Sequence, residues 1–424
     1  MVNARAAAAE LLALTLDERR TLDESFAISD CYCDLEGRER AFAAAIARAA
    51  LRHLPRVDAA YNAYLERPLP ESAGLARALL RVGAAQLLFL GAPAHAAVFE
   101  TVAAAQSARA SRPFARLINA VLRKVSAREG DVSGSASDDL PDWLRARWTA
   151  AYGAEAVEAI AAAQGGEPPL DLTVRGDAVM WAERLSGSAL FGATVRLPAG
   201  HGRGVTDLPG FAEGEWWVQD AAAALPARLL GVRAGERVLD LCAAPGGKTL
   251  QLTAAGAAVT ALDISQARLE RLRRHLERTA LSAEVVTADA LNWRPPEPFD
   301  AILLDAPCTA TGTLRRHPEA AWLRTPAHVE GFARSQAALL QAAAGMLKPG
   351  GRLVYSVCSL EPEEGAGIVA AALRAGGWRR DPLAAEELPT PAMRTPEGDM
   401  RALPCHLAEQ GGLDGFYAAR LIRG

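Results

Sequence analysis

Lysine is almost missing from this chain: Lys124, Lys248 and Lys348 are the only three among 46 basic residues, which leaves 43 arginines. The alanine excess beside it points to a coding bias toward Ala and Arg codons, so arginine richness alone says little about phosphate contact. Cysteine is also scarce, with six in 424 residues and no regular spacing, which excludes a disulfide framework. Cys31 and Cys33 form a lone C-x-C without a second pair. No four-ligand zinc set assembles from them, and no metal is expected. Cys31, Cys33 and Cys405 read as buried or incidental thiols. No apolar run reaches membrane-spanning length, and Ala-rich stretches such as Ala6–Leu14 are soon interrupted by charge. A signal peptide is missing too, because Glu10, Asp17 and Glu18 intervene early. A cytoplasmic address without a membrane partner is the expectation.

What is present fits a globular protein of two or three domains, with 50% hydrophobic and 23% charged residues. The net charge of −4 does not by itself mark a nucleic-acid binder. A local run does better: Arg109, Arg112, Arg116, Arg123, Lys124 and Arg128 follow one another with no acidic residue between them. A solvated helix face explains that run as well as a phosphate-binding one does.

The hydrophobic rhythm divides the chain into three. Residues 1–135 repeat apolar positions at three- and four-residue spacing, in Ala6–Leu14, Ala41–Leu54, Leu75–Leu90 and Ala97–Ala108, and read as an all-α domain. The Ser-, Gly- and Asp-rich stretch Gly130–Asp139 reads as a linker. Residues 136–215 mix helices (Pro141–Tyr152, Ala154–Gln164) with short strands (Leu170–Arg175, Thr194–Leu197), a small α+β segment. Residues 216–424 alternate strand and helix, with strands at Arg237–Leu241, Val259–Leu262, Glu284–Thr287, Ala301–Leu304 and Arg352–Val357, and a closing strand at Phe416–Ile422. That alternation predicts a parallel α/β sheet of Rossmann-like type with helices on both faces.

Open parallel sheets bind ligands beyond the carboxyl ends of their strands, so the residues just after each strand carry the functional information. After the first comes Asp240-Leu241-Cys242-Ala243-Ala244-Pro245-Gly246-Gly247-Lys248-Thr249. A phosphate-binding P-loop needs glycine six positions before its lysine, and Cys242 stands there; the dinucleotide G-x-G-x-x-G is absent as well. A plain tight turn accounts for the glycines but not for the whole string. After the second strand comes Asp263, suited to accept from both ribose hydroxyls of an adenosyl ligand or, alternatively, to cap the helix begun at Ser265. Asp289 follows the third strand and is suited to accept from the exocyclic amine of adenine. The fourth and fifth strands end in Asp305-Ala306-Pro307-Cys308 and Ser356-Val357-Cys358-Ser359. A polar or reactive group at five successive strand ends implies a cleft. Two cysteines there favour thiol chemistry over the commoner buried, inert Cys. Carbon 5 of cytosine offers such chemistry: it becomes nucleophilic once a thiolate adds to carbon 6, and a second group must assist the later proton loss and elimination.

At these residues the chain resembles the RNA 5-cytosine methyltransferases of the NOL/NOP/Sun group, over its whole length. The methyl-donor loop of that family is matched by Leu241–Thr249, its fourth motif by Asp305–Glu319 and its sixth by Tyr355–Glu364; Val218-Gln219-Asp220 and Asp414-Gly415-Phe416-Tyr417 also agree. The N-terminal helices resemble the NusB-type RNA-binding domain carried by the branch that acts on small-subunit (16S) ribosomal RNA, with Ile118–Arg123 matching its final helix. The resemblance implies S-adenosylmethionine as cofactor and RNA as partner, free or in an assembling subunit; nothing in the sequence requires a dimer, and a monomer is the expectation. It assigns the attacking thiolate to Cys358 and product release to Cys308. It gives the donor to Cys242, Ala243, Ala244, Pro245, Gly246, Gly247, Lys248, Asp263, Asp289 and Asp305, with Asp305 and Lys248 also near the cytosine. Arg315 and Arg316 read either as phosphate contacts or as part of an exposed loop, and the basic run after Arg109 acquires RNA as its partner. Two departures stand out: Thr309-Ala310 where Ser-Gly is usual, and Gly365 after the paired acids Glu363-Glu364 where Asn is usual.

Two other classes compete. A redox protein would use the thiols but lacks C-x-x-C and leaves Asp263 and Asp289 unexplained. A non-catalytic RNA chaperone would use the helical domain but not the thiol pair. Saturable binding of S-adenosylmethionine separates both from a methyltransferase. A DNA cytosine methylase would attack with the Pro-Cys cysteine instead.

Overall fold

The computed structural model describes residues 3–127 and 134–424. Arg128 and residues 130–133 of the expected linker lie outside the described residues. The chain divides into two compact units, one running to Gly165 and including Leu314–Thr325, the other comprising Gly166–Thr313 and Pro326–Gly424. These units divide the chain differently from the three segments expected at 136 and 215. The helices Asp142–Tyr152 and Ala154–Gln164 fold with the N-terminal helices, while the strands of the middle segment fold with the C-terminal sheet. The reason is local: the described part of the expected linker, residues 134–139, is a fastened turn. Ser135 and Asp138 form a capping box at Ala136–Asp139, and Glu158 accepts from the backbone N–H groups of Ala136 and Ser137.

The first unit is helical, as expected. Asn3 accepts from Ala6 N to start Ala4–Leu16, and a Thr21–Glu24 capping box starts Leu22–Ile28. Alanines on Ala4–Leu16, Gly37–Arg52 and Gly74–Phe89 allow close helix approach around Leu11, Leu12, Ile46, Leu51, Leu79 and Leu80, all buried. The helix Ala115–Ser126 turns Ile118, Val121, Leu122 and Val125 into that core and leaves Arg116, Arg123 and Lys124 exposed. Arg109 and Arg112 are exposed as well. Leu314–Thr325 joins this unit through polar anchors: Trp322 Nε1 donates to Leu51 O at 2.7 Å, and Arg19 donates to the carbonyls of Trp322 and Leu323 at 2.8 Å each.

The second unit holds two sheets. In the smaller, β1 (Leu170–Val174), β2 (Ser188–Ala189), β3 (Thr194–Leu197) and β4 (Trp216–Val218) pair antiparallel in the order β2-β3-β1-β4. Buried Arg196 on β3 grips Asp171 of β1 through two nitrogens, at 2.6 and 2.7 Å, and donates to the carbonyls of Gln410 and Gly412. The larger sheet comprises β5 (Arg237–Leu241), β6 (Ala258–Asp263), β7 (Glu284–Thr287), β8 (Phe299–Asp305), β9 (Leu347–Val357), β10 (Trp378–Arg380), β11 (Met400–Ala402) and β12 (Phe416–Arg423). Its order is β10-β12-β9-β8-β5-β6-β7, with β11 also on β12. Strands β5 to β9 run parallel; the central ones are apolar and buried on both faces (Leu239, Ile302, Leu303 and Leu353 are fully buried), edge strand β7 is half-exposed, and β12 pairs antiparallel with β9. The strand order reverses direction between β5 and β8, which opens a crevice beyond their carboxyl ends.

In the helical unit, Asp139 accepts from His53 Nδ1 at 2.7 Å and Arg56 Nε at 2.8 Å, largely out of water. Removing one member strands two buried donors. Asp139→Ala is therefore expected to destabilise the protein by about 3 kcal/mol in urea denaturation, the scale for a broken buried pair. A loss under about 1 kcal/mol, as for an exposed pair, would contradict this reading.

Candidate active site

The switch point is built by the loop after β5. Cys242 takes a positive φ of 62°, which turns the chain sharply off the strand. Ala243 N then donates to Leu262 O at 3.1 Å and Ala244 N to Asp263 Oδ2 at 3.2 Å, fastening the loop to the end of β6. Gly246 has φ 112° and lies so close to Leu272 that a Cβ would meet its Cδ1 at 2.3 Å; no other residue fits there. The helix Gly247–Ala254 starts at once, and Thr249 Oγ1 donates to Asp240 Oδ2 at 2.6 Å.

Asp263 and Asp305 end β6 and β8, and Asp289 follows β7, on the same edge of the sheet. Asp263 is nearly fully buried; besides Ala244 N it accepts from Ser265 N at 2.9 Å, with Arg268 3.5 Å away. Capping of the following helix falls to Ser265, which accepts from Arg268 N, so the capping alternative for Asp263 does not hold. Asp289 closes its own turn, accepting from Leu291 N at 3.0 Å and Asn292 Nδ2 at 2.7 Å. Asp305 accepts from Lys248 Nζ at 2.7 Å and Ser356 Oγ at 2.8 Å. Burial works against the Lys248 ammonium, but Asp305 and the neighbouring Cys358 outweigh it and raise its pKa. The one lysine of the loop is thus committed to a carboxylate, and two further carboxylates (Asp263, Asp289) stand at the ends of the neighbouring strands. Such a set repels phosphate and suits an uncharged nucleoside attached to a sulfonium cation.

Cys308 and Cys358 meet at the ends of β8 and β9. Their sulfurs are 3.4 Å apart, with Cys308 buried and Cys358 partly open. The hydrogen bond to Cys358, and then burial, push the Cys308 thiol well above the ordinary range. Burial, with Asp263 beside it, pushes Cys242 up to about 12, which makes it an inert member of the loop. All six cysteines are free.

The loops carrying the two thiols are laced together by residues that sequence reasoning missed. Glu364, fully buried, accepts from Thr309 N and Gln336 Nε2 through one oxygen and from the hydroxyls of Thr309 and Ser359 through the other. Gly312 N donates to Cys358 O at 3.0 Å, and Arg401 Nη1 donates to Ser359 O at 2.6 Å. The paired acids that end the sixth motif, Glu363 and Glu364, were the available signal, but nothing in a linear string marks which acid is buried. Both departures now have a physical account. Thr309 supplies the same hydroxyl as serine, while Ala310 occupies a left-handed φ of 59°, where glycine is free and an L-residue costs about 1–2 kcal/mol. A Cβ on Gly365 would sit 3.0 Å from the Tyr417 ring and 2.8 Å from Arg401 Nη2, so a side chain there requires Arg401 to move, and glycine leaves it in place on Ser359 O.

One assignment fails. Arg315 is 1% exposed and folds into the helical unit, where its carbonyl accepts from Arg52; it is placed for packing and not for phosphate contact. Arg316 is only partly open. The two short matching strings, by contrast, meet directly: Asp414 N donates to Asp220 Oδ1 at 3.2 Å.

Two outcomes follow from this geometry. Burial raises the Asp240 carboxyl from 3.8 to about 7, against the opposing bond from Thr249. Below pH 4 the acid is protonated folded and unfolded; between about 4 and 7 only the unfolded chain ionises, so stability falls as pH rises through that window. Asp240→Asn keeps an acceptor for Thr249, and its denaturation midpoint should gain on that of the wild type from pH 4.5 to 7.5. A pH-independent difference would contradict the shift. Separately, diamide, a two-electron thiol oxidant, should close a Cys308–Cys358 disulfide, taking both thiol hydrogens, while Cys31, Cys33, Cys242 and Cys405 stay free thiols that alkylate once the protein is denatured. A disulfide elsewhere, with Cys308 and Cys358 still free, would contradict the contact.

Comparison with known proteins agrees on both units. The 16S rRNA methyltransferase RsmB/F family model matches residues 227–422 and the NusB family model matches residues 2–127. The ribosomal RNA small subunit methyltransferase B of Pseudomonas putida is 37% identical over 100% of this chain and 99% of its own. That of Vibrio vulnificus is 36% identical over 100% of both. Among solved structures, PH0851 aligns with a TM-score of 0.77 at 23% identity over 99% of each chain. NSun6 from Pyrococcus horikoshii, solved with SFG, aligns with a TM-score of 0.56 at 21% identity over 67% of this chain and 98% of its own. These two speak for the fold. The full-length identity to the curated methyltransferases carries the conclusion: the chain belongs to the RsmB family of S-adenosylmethionine-dependent 16S rRNA methyltransferases.

Proposed function

We propose that this enzyme methylates carbon 5 of a cytosine in 16S rRNA through a transient bond from Cys358 to carbon 6 of the base. The observation that carries the reading is the thiol pair, 3.4 Å apart beside Lys248 and Asp305 at the strand ends. Residues Cys242 to Lys248, with Asp263, Asp289 and Asp305, hold the donor. S-adenosylmethionine, when bound, supplies an electrophilic methyl group. For the ribose to reach Asp263, half-exposed Arg268 swings aside.

The residues divide the remaining work. Lys248, tied to Asp305, brings its ammonium next to the Cys358 sulfur. The thiolate forms a bond to carbon 6, and the displaced π electrons make carbon 5 nucleophilic. Asp305, fixed by Lys248 and Ser356, orients the base. Once Cys358 is bonded to carbon it no longer carries charge, so one cause of the raised Cys308 pKa is gone. Cys308 then releases its own proton to solvent and takes the proton of carbon 5. That C–H pair restores the 5,6 double bond, and Cys358 leaves as thiolate.

The helical unit supplies the second part of substrate binding: Arg109, Arg112, Arg116, Arg123 and Lys124 engage RNA phosphates outside the cleft. A groove lined by Tyr64, Arg67, Phe114, Leu117 and Lys124 adds aromatic and cationic surface next to them. A cytoplasmic monomer fits this role.

Cys358→Ala is expected to lower methylation of 16S rRNA by at least about 10³-fold with the fold and donor affinity intact. Cys308→Ala is expected to accumulate a covalent protein–RNA adduct, because elimination stalls. An adduct with Cys358→Ala and none with Cys308→Ala would reverse the assignment.

A further inference from the structure

The residue after each thiol is tied to one and the same carboxylate. Thr309 follows Cys308 and gives Glu364 both its backbone N–H (2.9 Å) and its hydroxyl; Ser359 follows Cys358 and gives its hydroxyl. Gln336, from the helix Pro326–Met346, completes the set at 3.1 Å and also donates to Pro307 O at 2.8 Å, just before Cys308. Glu364 is 0% exposed and its own carbonyl accepts from the Tyr355 hydroxyl, so the side chain springs from a fixed point. An ionised carboxylate only accepts, with about four lone-pair sites, and four donors converge on it here. Only a carboxylate side chain collects four donors at one point in so small a volume. We propose that Glu364 is a positioning residue that holds the two thiols in reacting register, setting the Cys308–Cys358 separation without touching the substrate. The proposal rests on the covalent reading above and extends it.

The two loops leave different strands, and side-chain packing alone would let either drift. A misplacement of about 1 Å is enough to cost roughly 10²-fold in rate. Glutamine at this position is the conservative test. Its single oxygen can keep Thr309 N and Gln336, while its NH₂ donates to the Thr309 and Ser359 hydroxyls, which can reverse roles. Alanine loses all four contacts.

Three readouts decide: kcat and RNA KM, S-adenosylmethionine affinity, and the rate at which diamide closes the Cys308–Cys358 disulfide. Glu364→Ala should lose at least about 10²-fold in kcat with RNA KM and donor affinity within about threefold, and should close the disulfide at least about tenfold more slowly. Glu364→Gln should stay within about tenfold of wild type in kcat and near wild type in closure. Wild-type closure or wild-type kcat in Glu364→Ala overturns the proposal. So does loss of donor affinity together with activity, which would mark a general structural role. Should Cys358→Ala still methylate, the covalent reading fails, and the closure rate still decides the role of Glu364.

Discussion

The chemistry of this molecule depends on a single strand register. Asp305 at the end of β8 lies beside Ser356 on β9, and the hydrogen bond between their side chains marks the level at which both strands stop. Cys308 lies three residues beyond the first and Cys358 two beyond the second, so their sulfurs converge only if that pairing holds. A slip by one residue would turn every side chain of β9 to the opposite face. The fully buried runs of β8 and β9 prevent it: Ile302, Leu303 and Leu304 on one strand and Leu353, Val354 and Tyr355 on the other are excluded from water. The core that fixes the sheet therefore also fixes the distance between the thiols.

Around that pair the electrostatics are arranged by a scarce charge. The chain has three lysines, and one of them, Lys248, stands among Asp240, Asp305 and Cys358. Its ammonium neutralises one carboxylate and leaves the rest of the strand-end set acidic. A phosphate-binding loop inverts this balance, which is why the loop after β5 resembles a P-loop in outline yet cannot work as one. The same surroundings separate the roles of the cysteines: Cys242 is held as a thiol by burial and acids, whereas Cys308 is held by its hydrogen bond to Cys358.

Much of this was legible in the sequence because parallel strands buried on both faces stand out as apolar runs, and whatever follows them falls at one edge. Strand β5 and strand β7 have the bounds read from periodicity alone, and Asp263, Asp305, Cys308 and Cys358 all sit at strand ends. Other features depend on tertiary contact and left no linear mark. Arg315 belongs to the core of the helical unit although its string suggests a loop ready for phosphate. The Ser- and Asp-rich stretch before Leu140 has the composition of a linker, yet Asp139 in it is bound by His53 and Arg56. Glu364 reads as one acid in an acidic pair, and only burial distinguishes it from Glu363. The replacement of glycine by Ala310 at a left-handed position is a tolerated local cost, invisible until the φ angle is known.

The central claim is that sulfur 358 bonds to the pyrimidine ring. RNA carrying 5-fluorocytidine tests it most directly, because fluorine replaces the hydrogen whose loss permits elimination and so arrests the wild-type enzyme in mid-reaction. Digestion and mass spectrometry of the arrested complex should find the methylated nucleotide on the peptide containing Cys358. A nucleotide on the Cys308 peptide, or methylated RNA released with no protein attached, would contradict the account.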